Sequence, residues 1–246
     1  MTWRAYGASV RGTGHTRTKL PCQDAHGWRF LPSGIACAVA DGLGSAARAD
    51  AGAQMVVVAA LDSLAASPAS DIGAAVDVLR AAFVAAREAL VKASGDALLH
   101  DFATTLLLAV ATADWIAVGH IGDGAAVGRW ADGRLETLSL PERGEYSNET
   151  TPVTADDALD RLRIAVWPAP VQALVLFSDG LQAVALDFGS GAPFAPFFVP
   201  FLQALADPFD PAATGERLAA FLESPRVCAR TDDDKTILVA GLSHPR

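Results

Sequence analysis

The sequence predicts an α+β fold in which antiparallel strands form the centre and helices are confined to the sheet faces. Three observations predict it. Two alanine-rich helical segments follow one another across a short connection containing Pro68, the pattern of an antiparallel helix pair. Short apolar segments then run from 102 to 138 with turn residues between them and no space for crossover helices. Three apolar runs carry aspartate at one end: Ile35–Ala40 before Asp41, Leu174–Phe177 before Ser178 and Asp179, and Thr236–Gly241 after Asp232, Asp233 and Asp234.

Trp3–Val10 alternates loosely and reads as the first strand. Arg11–Asp24 is polar, basic and glycine-containing, so a loop or strand edge is expected there, ending at Asp24. Ile35–Ala40 is a continuous apolar run closed by Asp41, Gly42 and Gly44, as in a buried strand that ends in a tight turn. Ala46–Ala66 consists of strong helix formers without proline. Asp71–Ala93 is a second helix, with Val76, Leu79, Phe83, Ala86 and Leu90 at helical spacing. Phe102–Ala111, Trp115–Ile121, Ala125–Trp130 and Leu135–Leu138 read as a meander of strands, divided by Gly122–Asp123–Gly124 and Ala131–Asp132–Gly133. Leu140–Ala169 is expected to be irregular, broken by Pro141, Pro152 and Pro168. Leu186–Pro211, rich in Phe, Pro and Gly, reads as an insertion with room for one short helix, and Ala212–Glu223 as a helix before the last strand. No repeat, low-complexity tract or linker interrupts the chain, so one domain spanning 1–246 is expected.

With 51% hydrophobic residues over 246 positions, the chain can bury a large core, which excludes disorder. A formal charge of −9 argues against a nucleic-acid surface, which needs clustered Lys and Arg. Cys22, Cys37 and Cys228 form no CxxC pair and no disulfide framework, which points to a reducing compartment. The N-terminus, MTWRAYGASV, lacks a signal-peptide apolar stretch, and no apolar segment reaches membrane-span length without charge or proline. A cytoplasmic location without a membrane partner is expected.

A carboxylate at the mouth of a buried strand is costly unless something positive meets it. Asp24, Asp41, Asp179 and Asp233 each fall at an expected strand edge, and strands that share a sheet system can bring their ends together. Carboxylates and waters are the ligands of Mg²⁺ or Mn²⁺, whereas zinc would take His or Cys. A pair of such ions roughly 3.5–4 Å apart can clamp a phosphoryl oxygen and activate a bound water.

The motifs CQDA, VADGLG, FATTLLLA, HIGDG, LFSDGL and DDKTILV occur in that order, and with them the sequence resembles the metal-dependent serine/threonine phosphatases of the PP2C (PPM) type, most of all their compact bacterial branch. The resemblance runs from about Gly7 to Ala240. It implies a four-layer αββα sandwich, two central antiparallel sheets flanked by helix pairs. It also implies hydrolysis of phosphoserine and phosphothreonine with two Mg²⁺ or Mn²⁺ ions, on protein substrates of a Ser/Thr kinase in a bacterial signalling circuit. Asp41 would then bridge both metals, the Gly42 carbonyl would contact one, and Asp179 and Asp233 would complete the shell of the other. Asp24 would act from behind the ligands on metal-bound water, Thr104 and Thr105 would be structural, and Asp123 would serve a third metal.

The chain departs from the family pattern at three positions. Ala183 stands where an aspartate is usual, which leaves a tight third metal site short of a ligand. Leu43 occupies a position that is often histidine. Lys19 replaces the usual phosphate-binding arginine, with Arg17 as an alternative; a lysine meets phosphate as a point charge and not bidentately. These departures keep open a second reading, a catalytically weak relative that binds a phosphoprotein as a regulatory module. Hydrolysis of a small phosphorylated metabolite is a third.

Other residues read as structural. His15 lies in the basic loop with a modest claim on substrate, whereas His26, His100, His120 and His244 are too scattered for a metal set. Cys22 and Cys37 read as small buried hydrophobes. Tyr146, Asn148, Glu149 and Thr150 read as a folded loop, and Asp232 and Asp234 as a solvated turn in which either could stand in for Asp233.

Overall fold

Strands buried on both faces build the protein in layers. The computed structural model describes residues 2–95, 98–141, 150–206 and 208–243. Among these, one sheet contains, in spatial order, β1 (Thr2–Val10), β10 (Lys235–Ser243), β9 (Ala173–Phe177), β6 (Ala125–Arg129) and β7 (Leu135–Ser139). The other contains β2 (Asp24–Leu31), β3 (Gly34–Asp41), β4 (Leu106–Thr112), β5 (Ile116–Ile121) and β8 (Arg163–Trp167). Every neighbouring pair is antiparallel.

The period-two alternation of strands sorts their side chains between two layers. In β3, Ile35, Cys37 and Val39 join Leu107, Leu174, Leu176 and Leu238 in the core between the sheets. Ala36, Ala38 and Ala40 instead meet α2 (Ala49–Ala66) and α3 (Ala75–Ser94), whose Val56, Leu61, Leu79 and Phe83 cover the second sheet. On the first sheet, Val175, Phe177, Ile237 and Val239 pack against α5 (Ala195–Gln203) and α6 (Pro211–Leu222). The result is the expected αββα sandwich. In α3 the expected face is buried at Leu79, Phe83, Ala86 and Leu90, but Val76 is 40% exposed, since Ala75 begins the buried stripe instead. The start of α6 is set locally. Asp210 caps it by accepting from the Ala212 and Ala213 amides (2.9 and 3.2 Å), and Pro211 occupies the first helical position.

Of the described helices, α2 is long and apolar enough to span a bilayer, yet 44% of it is buried within the protein. It packs against β2, β3 and α3, as a core helix does.

Three sequence expectations are corrected, and one strand that the sequence reading did not assign, β2, is added. Arg11–Asp24 contains a short helix, α1 (Thr13–Thr18), stabilised from outside by contacts to the 232–234 loop. Asp24–Leu31 forms a full strand, β2, whose His26, Gly27 and Arg29 disguise it; β3 holds it in register along its length. Arg163–Trp167 is an edge strand inside the segment expected to be irregular. The meander is split, because β5 belongs to one sheet and β6 to the other, so Gly122–Asp123–Gly124 is a crossing and not a hairpin turn. Gly122 has φ +116°, and a Cβ there would lie 2.5 Å from the Thr105 side chain.

Candidate active site

The crossing and the ends of two central strands bring the carboxylates together. Asp41 is the last residue of β3, directly opposite Asp24, the first residue of β2. Its backbone is fixed by the threonine pair that precedes β4. The Asp41 amide donates to Thr105 Oγ1 (3.0 Å), the Thr105 amide donates back to the Asp41 carbonyl (2.8 Å), and Thr104 Oγ1 donates to that same carbonyl (2.9 Å). Gly42 lies against the start of α2, where a Cβ would stand 2.7 Å from that of Ala49. Asp179 opens the single-turn 3-10 helix Asp179–Leu181 directly after β9. Its neighbour Gly180 allows the close approach of the Asp234 carbonyl, 2.0 Å from where a Cβ would be.

Asp41, Asp123 and Asp179 each offer an oxygen, and these oxygens lie within 4.8 Å of one another. Burial pushes the Asp24 carboxyl up to about 7, with the Asp234 charge adding to the effect. Burial, then repulsion from Asp24 and Asp179, holds Asp41 well above the usual carboxylate range. Asp179 is raised to about 6 by burial and by the charges of Asp123 and Asp233. Among the described residues, no Lys or Arg pairs with Asp24, Asp41 or Asp179. Asp24 Oδ1 and Asp179 Oδ1 are buried with no hydrogen-bond partner there. Mutually repelling, partly unsatisfied carboxylates call for positive charge, and an all-oxygen donor set fits a hard divalent cation.

Comparison with known proteins decides what this arrangement belongs to. Residues 11–223 match the protein phosphatase 2C family. The chain is 34% identical over 255 residues to serine/threonine-protein phosphatase 3 of Escherichia coli strain K12, covering 98% of both chains. The chain belongs to the protein phosphatase 2C family.

Solved structures agree on the fold. PppA, a key regulatory component of T6SS in Pseudomonas aeruginosa, superposes with a TM-score of 0.68 at 22% identity, covering 98% of each chain. The catalytic domain of the serine threonine protein phosphatase PstP, solved in complex with two manganese ions, superposes with a TM-score of 0.64 at 21% identity, covering 98% of this chain and 99% of that one.

In this protein phosphatase 2C chain the three consecutive aspartates have three different surroundings. Asp232 is exposed and ion-pairs with Arg17 at 2.7 Å. Asp233 is exposed beside Gly180, outside the three-carboxylate group, and its charge reaches Asp179. Asp234 is 2% exposed, which corrects its reading as part of a solvated turn. It accepts from the Gly12 amide (2.6 Å), the Gln23 amide (2.6 Å) and His15 Nδ1 (2.9 Å), tying α1 and β2 to β10. His15 is thereby held by a bond to a buried carboxylate. Lys19 is exposed at the C-cap of α1, in left-handed backbone with φ +63°.

Several participants escaped the sequence reading. Ser178 Oγ donates to Asp24 Oδ2 (2.8 Å) and accepts from the Thr236 amide (3.0 Å). Thr236 Oγ1 donates to Ser9 Oγ (2.7 Å), which meets His26 Nδ1 at 2.8 Å. Burial lowers His26 to about 4, so Nδ1 is free to accept, and the chain of bonds runs on from Asp24 into the space between the sheets. Lys235 is fully buried, its ammonium donating to the Asp233 carbonyl at 3.3 Å. The one signal for it was a lysine at the head of an apolar strand. Gln182 Nε2 donates to the Asp123 carbonyl and Thr150 Oγ1 to the Asp123 carboxylate, so Thr150 supports the site and does more than fold a loop.

The remaining residues are structural. His120 is buried, held by Ser139 Oγ and Arg163 at its Nδ1, while His100 is exposed. Leu43 packs on Ala46, Ala49 and Ala103. Cys37 is buried as expected, whereas Cys22 is only half-buried. Tyr146, Asn148, Glu149 and His244 lie outside the described residues.

Proposed function

We propose that this chain is a Mg²⁺- or Mn²⁺-dependent phosphoprotein phosphatase acting on phosphoserine and phosphothreonine, working as one domain over residues 1–246 in the cytoplasm. The observation that carries the reading is the convergence of Asp41, Asp123 and Asp179 oxygens within 4.8 Å, among carboxylates raised by burial. Asp41, the Gly42 carbonyl, Asp179 and Asp233 would hold two ions, the number named for PstP, with Asp123 offering a ligand to a weaker third. When bound, such ions supply positive charge to the phosphoryl oxygens and lower the pKa of a coordinated water.

The chain's own residues do the rest. Asp24, raised to about 7 and with Oδ1 unpaired among the described residues, would hold or release a proton beside Asp41, while Ser178 fixes its other oxygen. Lys19, or Arg17 as the alternative, would supply the positive charge that meets substrate phosphate. The expected substrates are phosphoproteins made by a Ser/Thr kinase. The charge of −9 supports neither nucleic acid nor an anionic membrane surface as a partner.

Hydrolysis of an aryl phosphate with and without added Mn²⁺, Mg²⁺ and chelator tests the reading, followed by a phosphopeptide panel. Metal-dependent turnover of both substrates is the expected result. Metal binding with no hydrolysis of any phosphorylated substrate would instead favour the regulatory-module reading, and absence of metal binding would remove both.

A further inference from the structure

The segment after Asp179 builds more than a surface loop. Leu186 bridges to Pro193, α5 follows, and Phe201 of α5 sits edge-to-face on Phe221 of α6 with ring centroids 5.4 Å apart. The resulting wall, continued by Phe197, lines a cavity of about 1490 Å³ that also includes Asp123 and Asp179. Large apolar side chains stay in water along it, Phe194 at 55% and Phe221 at 37% exposure. Sites for small molecules run to about 300–1,000 Å³, so this one is oversized for a phosphorylated metabolite.

Charge adds a second, independent observation. Arg217 on α6, and Arg226 and Arg230 on and just after α7 (Pro225–Cys228), line the same cavity. All three are exposed, and among the described residues none forms an ion pair. In a chain with 28 acidic residues against 19 Lys and Arg, three arginines with no ion pair among the described residues put positive charge on the α6–α7 part of a cavity whose acidic lining, Asp123, Asp179 and Asp187, comes from other segments.

We propose that this cavity docks the residues flanking the phosphorylated side chain of a protein substrate, selecting an aromatic or large aliphatic residue accompanied by acidic ones. The proposal rests on the phosphoprotein phosphatase reading above and specifies its substrate class. The aromatic wall takes the apolar side chain, the arginines take the carboxylates, and continuity with Asp123 and Asp179 places the phosphoryl group at the carboxylate site.

The test compares kcat/KM for 4-nitrophenyl phosphate with that for phosphothreonine peptides whose flanks are Phe/Leu with Asp/Glu, Ala/Gly only, or Phe/Leu with Lys/Arg. The acidic-aromatic peptide should exceed the Ala/Gly peptide by about tenfold or more, and the basic peptide should fall below both. Arg226→Glu with Arg230→Glu should invert the charge preference, and Phe221→Ala should cut the advantage of Phe/Leu flanks about tenfold. All variants should keep parental turnover of 4-nitrophenyl phosphate, and the arginine variants should also keep parental Tm. Equal kcat/KM across the three peptides, or variants that lower peptide and aryl phosphate turnover in parallel, would overturn the proposal. Absence of metal-dependent aryl phosphate hydrolysis in the parent would instead sink the phosphatase reading. Fluorescence anisotropy with the same labelled peptides then decides the cavity, and equal binding by the parent and the Arg226→Glu/Arg230→Glu variant overturns it.

Discussion

Asp24 and Asp41 face one another across the open end of the β2–β3 pair, two buried carboxylates at directly opposed positions. Like charges opposite each other in a sheet destabilise it, and here, among the described residues, neither has a cationic side chain for relief. The arrangement is intelligible as a site built to be completed by a cation.

Its pH dependence follows. In the metal-free protein Asp24 (about 7) and Asp179 (about 6) keep protons that the unfolded chain releases near pH 4. The folded state therefore binds more protons between roughly pH 4 and 7, and stability falls as pH rises through that window. Chelated protein should melt higher at pH 5 than at pH 8. Saturating Mn²⁺ should flatten or reverse the trend, because it binds the ionised carboxylates. Thermal scans across this range decide the matter; a chelated protein whose Tm climbs toward pH 8 would contradict the assignment.

Asp41→Asn keeps the shape at the end of β3 and removes the charge. Metal-dependent aryl phosphatase activity should drop by about 10²–10³ or more. Added Mn²⁺ should raise the Tm of the parent but not of the variant, since only binding to the folded state stabilises it. Retention of both activity and thermal response would exclude Asp41 as a ligand.

The aspartate run should separate cleanly by substitution. Asp234→Ala strips the acceptor from two buried amides, Gly12 and Gln23, at about 1–3 kcal/mol each. Tm should fall by at least about 4 °C even in chelator. Asp233→Asn should leave Tm in chelator unchanged and weaken Mn²⁺ binding measured by calorimetry. The opposite pattern would mean that the two residues exchange roles.

Lys19→Ala and Arg17→Ala, singly and together, should lower kcat/KM for phosphopeptide by roughly tenfold to a hundredfold, from about 1.5–3 kcal/mol for a charge-assisted hydrogen bond. Mn²⁺ affinity should be unaffected. The Arg17–Asp232 pair, 68% exposed on both sides, is worth about 0–1 kcal/mol, so its loss should hardly change Tm. Parental kinetics in the double variant would rule both residues out.

Ser178→Ala removes the donor to Asp24 Oδ2 and the acceptor of the Thr236 amide. A loss of about 1–3 kcal/mol of stability is expected. The pH–rate profile should shift to higher pH, because Asp24 loses a bond that favours its ionised form. A profile identical to the parent's would separate Asp24 from proton transfer.

The layered α+β architecture, the buried strands ending at Asp41 and Asp179, and an oxygen-ligand site were all legible in the sequence, because short apolar runs, helical spacing and terminal carboxylates are local signals. Only the tertiary structure decided how those pieces meet. Gly122–Asp123–Gly124 reads locally as a turn whether the next strand joins the same sheet or the other; the crossing is what carries Asp123 to Asp41 and Asp179. β2 was hidden because its polar residues pair with β3, and pairing partners are not written in the strand itself. Asp232, Asp233 and Asp234 are chemically identical in the sequence. They became an ion pair, a carboxylate beside Asp179 and a buried acceptor because the irregular backbone before β10 points them at different neighbours, and those neighbours are distant in the chain: Arg17 and Gly12 lie more than two hundred residues away and Asp179 lies 54 away.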